Sequence, residues 1–364
     1  MRLRRLRLFN HRNYAQLDLS PGPAVNVFIG PNGQGKTNLL EAVAMLALSS
    51  SPRARRENEL VGPVGPGSRI EAEIESGPTD QLVREIVIAL DTDGERTRRT
   101  IEVDGVRRRS VDLPGNFRVV LFWPDDLGLV KSGPDLRRRF LNQMLVQVEP
   151  GYARSLAGLR RVLEQRNSLL KRIGAGEGGE DMLDVWNQEL VKVGREIVEA
   201  RTRAVAELEP EATRCHAKIA AKEHLEVRYL GPPENLAEAV NNSLADDLRR
   251  GSTTVGPHHD DLLILLDGQE ARSYSSQGQQ RTAVVSLKLA EAALIYVRSG
   301  ERPVLLLDDV LSELDSERRT ALLGEVAAGG QVIVTSVEAG PFPPDLIARS
   351  MVWTVDEGTI QPCG

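Results

Sequence analysis

The sequence predicts an α/β fold with a helical arm inserted into it, and three observations carry that prediction. Short apolar strands alternate with helices at both ends of the 364-residue chain. A glycine-rich turn joins the first such strand to its helix, and the middle of the chain changes to a helical stripe. The expected division is an α/β core from 1–122 and 255–364, with 123–254 as the arm.

In chain order, residues 2–8 alternate basic and apolar side chains, which reads as an edge strand. Residues 25–29 are a short apolar strand, followed by the turn and a helix pattern over 37–46. Residues 69–76, 82–91 and 98–106 alternate as strands, with Asp104-Gly105 as a hairpin turn. In the middle, Leu156, Leu159, Leu163 and Leu170 stand at helical spacing. After a glycine-rich break, Leu183, Trp186, Leu190, Val193 and Ile197 repeat at steps of three and four. This heptad-like stripe predicts a short antiparallel helical hairpin. A helix is expected from about Ala283 to Val297, then buried strands over 303–309 and 331–335 and a last strand over 351–355.

Composition narrows the function classes. The chain is 41% hydrophobic and 27% charged but only 4% aromatic, so aliphatic side chains must fill the core. Cys215 and Cys363 form neither a disulfide framework nor a metal-ligand spacing, which suits a reducing cytoplasm. No secretory leader is read at the basic start, and no apolar run reaches the ~20 residues that span a bilayer. The net charge of −6 argues against a dedicated nucleic-acid binder, but its distribution is uneven: Lys and Arg outnumber Asp and Glu 22 to 19 over residues 1–150, and trail 24 to 33 thereafter. Arginines cluster, and Arg107, Arg108, Arg109, Arg137, Arg138 and Arg139 are candidates for contacts to DNA phosphates, because the planar guanidinium fork matches phosphate oxygens. Ordinary solvated faces are the other reading of each cluster. No helix-turn-helix or zinc-finger pattern is present, so DNA contact would be to the backbone, weakly dependent on sequence and sensitive to salt.

Three constellations carry chemistry. Gly30, Pro31, Asn32, Gly33, Gln34, Gly35, Lys36 and Thr37 fit the phosphate-loop pattern between a strand and a helix. Glycines let backbone N–H groups turn toward the phosphates of ATP, Lys36 reaches the terminal phosphates, and the Thr37 hydroxyl serves Mg2+. Downstream, an apolar strand delivers Asp308 and Asp309 at its carboxyl end. Asp308 suits the metal through water, and Asp309 suits an attacking water. Between them, Ser275-Ser-Gln-Gly-Gln279 precedes a helix expected near Thr282, a turn that reads as an anion site or as a plain N-cap.

In this order, with Leu311-Ser-Glu-Leu-Asp315 following, these segments resemble the Walker A, signature, Walker B and D-loop series of ABC ATPases. More closely, the chain resembles the RecF family of DNA replication and repair proteins. Asn10-His-Arg-Asn-Tyr14, Phe122-Trp-Pro-Asp-Asp-Leu127, Leu129-Val-Lys131 and Arg137-Arg-Arg-Phe-Leu-Asn142 carry the match in the first half. Gly256-Pro-His-His-Asp-Asp-Leu262, Ser276-Gln-Gly-Gln-Gln-Arg-Thr282 and Ser286-Leu-Lys-Leu-Ala-Glu291 carry it in the second. The resemblance implies an ABC-type ATPase head, a monomer or weak dimer that closes around two ATP molecules as an ATP-dependent homodimer, DNA binding, and help to RecO and RecR in loading RecA at gaps. It also implies that Ser276, Gly278 and Gln279 contact the ATP of the opposite subunit, and that Asp315 belongs to a D-loop. Three positions depart from the pattern: Asp309 stands where most ABC enzymes have glutamate, Ser336 where they have histidine, and His259 where arginine is expected. The shorter Asp309 implies slow hydrolysis. An ABC transporter subunit and an SMC-like structural ATPase are the alternatives; the first normally keeps that glutamate and histidine, and the second needs a far longer arm.

Overall fold

The basic start of the chain is an interior strand. The computed structural model describes residues 1–77, 82–93, 96–314, 316–327, 330–340 and 342–363. In it, β1 (Arg2–His11) lies between β2 (Tyr14–Leu19) and β4 (Gly67–Ser76). The antiparallel sheet continues through β5 (Leu82–Thr92), β6 (Thr97–Val103) and β7 (Val106–Arg108). The expected edge position of β1 is therefore corrected. Leu3, Leu6 and Leu8 are fully buried on one face, the register slipping between Leu3 and Arg5. On the other face, cross-strand carboxylates neutralise the arginines: Arg2 donates to Glu75 at 2.7 Å, Arg5 to Asp18 at 2.8 Å and Arg7 to Glu71 at 3.3 Å. Such opposed pairs stabilise a sheet interior.

The second sheet has the order β15-β14-β3-β13-β12-β8. Its strands are β3 (Val25–Ile29), β8 (Val119–Phe122), β12 (Val304–Asp308), β13 (Val332–Ser336), β14 (Met351–Asp356) and β15 (Thr359–Pro362). All but β15 pair in parallel. β8, β12 and β13 are buried along their whole length, as strands covered on both faces are. After β3 the chain enters α1 (Lys36–Leu48), buried over most of its surface. Both sheets belong to one compact unit, Met1–Leu127 with Lys218–Ala220 and Arg281–Gly364.

The other unit comprises Gly128–Ala217 and Ala221–Gln280. It holds α2 (Gly128–Lys131), α3 (Pro134–Val148), α4 (Tyr152–Gly174) and most of α5 (Glu180–Ile219). β9 (Leu225–Leu230), α6 (Leu236–Asn242), α7 (Leu244–Arg250), β10 (Asp261–Leu266), β11 (Gln269–Glu270) and α8 (Ala271–Tyr274) complete it. α4 and α5 run antiparallel: Ser155 donates to Glu196 at 2.7 Å, Arg166 donates to Asn187 at 2.8 Å, and Leu169 and Leu170 cluster with Leu183. At 40 residues α5 extends about 60 Å, well beyond the few turns that its apolar stripe covers. Two buried arginines tie the helices to the segment after them. Arg166 reaches Asp247 at 2.7 Å and Thr253 at 2.8 Å; Arg201 reaches Asp260 and the Pro257 carbonyl, each at 2.7 Å. Because of these clasps and the β9–β10 pairing, residues 255–280, expected in the core, group with the arm. The next helix, α9 (Gln277–Ser299), leads back into the first unit, which also holds α10 (Ser316–Ala327) and α11 (Pro344–Ile347). Among the described residues, no helix is long and apolar enough to cross a membrane.

Candidate ATP-binding site

β3 packs Phe28 against Trp353 of β14, the rings stacked with nearly parallel planes and centroids 5.9 Å apart, and delivers Gly30 at its carboxyl end. The Gly30 N–H donates to the Ser336 carbonyl at 3.3 Å, so Ser336 buttresses the loop with its backbone. Gly35 caps α1 at φ 115°, and a Cβ there would lie 2.5 Å from the Asn13 amide; the position admits only glycine. Sequence reasoning did not assign a role to Asn10-His-Arg-Asn-Tyr14. Here Asn13 donates to the Gln34 carbonyl at 2.9 Å, and Tyr14 donates to the Gly35 carbonyl at 3.0 Å, holding the loop from behind. Arg12 forms a two-bond pair with the buried Glu41 of α1.

Lys36 is almost fully buried, and its ammonium donates to the Gly30 and Pro31 carbonyls of its own loop. Burial pushes it below the ordinary lysine range, while Asp309 and Asp308 pull it back. Thr37 donates to the Asp308 carboxylate at 2.9 Å, and Thr335 donates to it at 2.7 Å. Burial pushes Asp308 up; the two hydroxyls and the charge of Arg53 oppose the rise. Thus Thr37 and Asp308, 271 residues apart, are brought together. A hydroxyl and a carboxylate in contact fit Mg2+, which takes few protein oxygens and completes its octahedron with water and phosphate. Asp309 follows in the left-handed region at φ 51°, its N–H bonded to the Thr335 carbonyl and hydroxyl at 3.2 and 3.1 Å. That conformation is uncommon for a side-chain-bearing residue. It sets Asp309 just beyond the strand end.

β8 ends at Phe122, and Arg53 lies over the Trp123 ring, 5.8 Å from its centroid. Buried Lys288 of α9 pairs with Glu291 at 3.1 Å and approaches Asp126 at 3.9 Å. Burial raises Glu291 to about 7 in spite of Lys288. Sequence reasoning gave these residues no role beyond the motifs that contain them.

The Ser276 turn is a capping box. Ser276 Oγ accepts the Gln279 N–H at 3.3 Å, and Gln279 Oε1 accepts the Ser276 N–H at 2.9 Å. The helix behind it starts at Gln277, several residues before the expected Thr282, because the cap itself is the serine. Ser276, Gly278 and Gln279 stand in the second unit. Asp315 lies outside the described residues.

The arginine candidates divide. Arg107 and Arg108 are exposed on the edge strand β7, and Arg109 is exposed but paired with Asp112 at 2.8 Å. Arg137 is buried, and its fork meets Asp261 at 2.6 and 2.8 Å and the Leu129 and Ser132 carbonyls, so its expected contact with DNA is corrected. Arg138 pairs with Asp135 and donates to the Asp260 carbonyl at 2.7 Å; Arg139 is exposed. A run of three arginines on a helix points its members to different sides. His259 approaches the Thr253 carbonyl at 3.2 Å beside His258.

A phosphate loop backed by a parallel sheet, a Thr–Asp pair at its mouth and a helix-capping Ser-Gln-Gly-Gln turn define a P-loop ATPase head of the ABC and SMC class. Residues 2–344 match the RecF/RecN/SMC N terminal domain family. The DNA replication and repair protein RecF of Shouchella clausii (strain KSM-K16) is 37% identical over 98% of both chains, and that of Heliobacterium modesticaldum (strain ATCC 51547 / Ice1) is 38% identical over 99% of both. The solved recombination mediator protein RecF with ATP, of the RecFOR pathway, superimposes with a TM-score of 0.90 at 32% identity, covering 100% of this chain and 97% of that one. An SMC head bound to the C-winged helix domain of ScpA shares the fold, with a TM-score of 0.57 at 14% identity, covering 100% of this chain and 97% of that one. The chain belongs to the RecF family of DNA replication and repair proteins.

Proposed function

We propose that this chain is a slow, DNA-stimulated ATPase of recombinational repair, in which ATP closes a homodimer around DNA and hydrolysis opens it. The observation that carries the reading is the convergence of buried Lys36, Thr37 and Asp308 at one loop mouth. Lys36 and the loop N–H groups of Asn32, Gly33, Gln34 and Gly35 receive the phosphates; Gly30, its N–H held by the Ser336 carbonyl, and Pro31, lacking an N–H, shape the turn. Thr37 and Asp308 would hold Mg2+, which when bound offsets charge on the β- and γ-phosphates. Asp309 orients water, with a shorter reach than glutamate and hence slow turnover. The Ser276 turn, with Gly278 and Gln279 at the positive end of α9, supplies the γ-phosphate contact to the ATP of a second copy. Asp315 belongs to the D-loop of the family pattern. ADP lacks that contact, and this difference in affinity drives the switch. Arg107, Arg108 and Arg139 are the side chains suited to the DNA backbone, at single-stranded, duplex or junction sites without base specificity. In the cytoplasm the chain would act with RecR and RecO to load RecA at single-strand gaps, in repair, replication restart and the SOS response.

The test is sedimentation of wild type and Ser276→Arg with ATP, ADP and no nucleotide. Wild type is expected to dimerise with ATP alone, whereas the variant binds ATP and stays monomeric. Equal dimerisation of the two proteins overturns the cross-subunit role of Ser276.

A further inference from the structure

The middle of the phosphate loop is held by the far end of the chain. The Gln34 carbonyl accepts two donors, Asn13 Nδ2 at 2.9 Å and the Gly358 N–H at 3.1 Å. The Gln34 side chain accepts a third bond, from the Glu357 N–H at 2.6 Å. Glu357 and Gly358 form the two-residue turn between β14 and β15, with Asp356 paired to Thr359. Both residues are left-handed, φ 43° and 77°, the geometry that joins tightly twisted antiparallel strands. A Cβ on Gly358 would lie 2.4 Å from the Asn13 carbonyl oxygen, a backbone atom that cannot swing aside. β14 itself runs parallel to β3, pairing Trp353 with Phe28 and Thr354 with Ile29, so the turn projects beside the point where the chain enters the loop.

Peptide planarity turns this anchoring into chemistry. Across a trans peptide, the carbonyl of one residue and the N–H of the next point in opposite directions. Two donors that fix the Gln34 carbonyl on the outside of the loop therefore fix the Gly35 N–H toward its inside, where phosphate is bound. The Tyr14 hydroxyl on the Gly35 carbonyl does the same for the Lys36 N–H. We propose that the Glu357–Gly358 turn, with Asn13, is a positioning element of the nucleotide site: it sets the Gly35 N–H before nucleotide arrives. This rests on the phosphate-loop reading above. It makes the C-terminal hairpin a determinant of affinity for the diphosphate part of the nucleotide, and so for ATP and ADP alike.

The experiment measures ATP and ADP dissociation constants by calorimetry, and KM and kcat, on the full-length protein. Gly358→Ala is expected to weaken both nucleotides by about tenfold, and Gln34→Met, which removes only the bond from Glu357, by about threefold. KM for ATP should rise in step while kcat changes less than about twofold, a split that general destabilisation does not produce. Should Gly358→Ala not fold, Gln34→Met alone decides. If folded variants bind both nucleotides within about 1.5-fold of wild type, or lose ATP but not ADP, the positioning role is overturned. Failure of the wild type itself to bind either nucleotide would instead overturn the phosphate-loop reading.

Discussion

Replacing Arg12 with methionine should destabilise the protein by about 3–5 kcal/mol, the cost of stranding a buried charge. Two bonds, at 2.8 and 2.9 Å, join the Arg12 guanidinium to Glu41, and a third, at 2.7 Å, runs to the Glu59 carbonyl. Glu41 is fully buried in α1, and its other donor is the Ser51 hydroxyl. Burial alone pushes the Glu41 carboxyl up; the bonds from Arg12 and Ser51 and the charge of Arg53 outweigh it and hold the group below the ordinary glutamate range. Methionine fills much of the arginine stem's volume but leaves the carboxylate facing one hydroxyl. The carboxylate must then stay charged without its partner or take up a proton, at about 1.4 kcal/mol for each unit its pKa climbs. Urea unfolding of wild type, Arg12→Met, Glu41→Gln and the double variant measures the effect. The double variant should recover about 2 kcal/mol or more of the summed single losses, because the two residues share one interaction. A loss below about 1 kcal/mol for Arg12→Met, or strict additivity, refutes the reasoning.

Lys36→Met removes one charge-assisted bond to phosphate and should raise the ATP dissociation constant about 100-fold with the fold intact; near-normal affinity in calorimetry would count against the site. Neutralising exposed Arg107 and Arg108 should lower the log–log salt slope of duplex binding by up to about 0.9 for each DNA phosphate left without its guanidinium. Arg137→Ala should instead lower the unfolding midpoint, because it leaves Asp261 without its fork; a change in salt slope without a stability loss would reverse this division. Burial holds His11 at about 4, well below the ordinary histidine value of 6.5. The unfolded chain therefore binds a proton that the folded one refuses, and stability should fall as pH drops from 6.5 toward 4, by at most about 3 kcal/mol. His11→Gln should flatten that part of the pH–stability curve, and an unchanged slope in pH-resolved urea unfolding would rule the assignment out.

The phosphate loop and the Asp308 strand were legible because each chemical role demands a residue type at a fixed spacing. Thr37 and Asp308 lie in contact although 271 residues separate them. Charge was harder to read. Arg2, Arg5 and Arg7 look like a basic arm in one dimension, and only the register of β1 against β2 and β4 reveals their carboxylate partners. Arg137 likewise looks like its neighbours until the helix turns it inward to Asp261. β9 and β10 stayed hidden because their pairing partners lie 31 or more residues apart with helices between, and no turn signal marks them as a pair. The early start of α9 could have been found: Ser276 followed three residues later by Gln279 is a capping-box spacing.

The parallel sheet has a consequence for how the protein is made. β3 leaves the ribosome well before its two neighbours in the sheet, β13 and β14, which are encoded about 300 residues later. At ~5–20 residues per second, that strand waits roughly 15 s to a minute for its partners. Throughout that interval Val27 and Phe28 have no sheet to enter, and the loop after them has no backing. Nascent chains should therefore be unable to bind ATP until β13 and β14 have emerged.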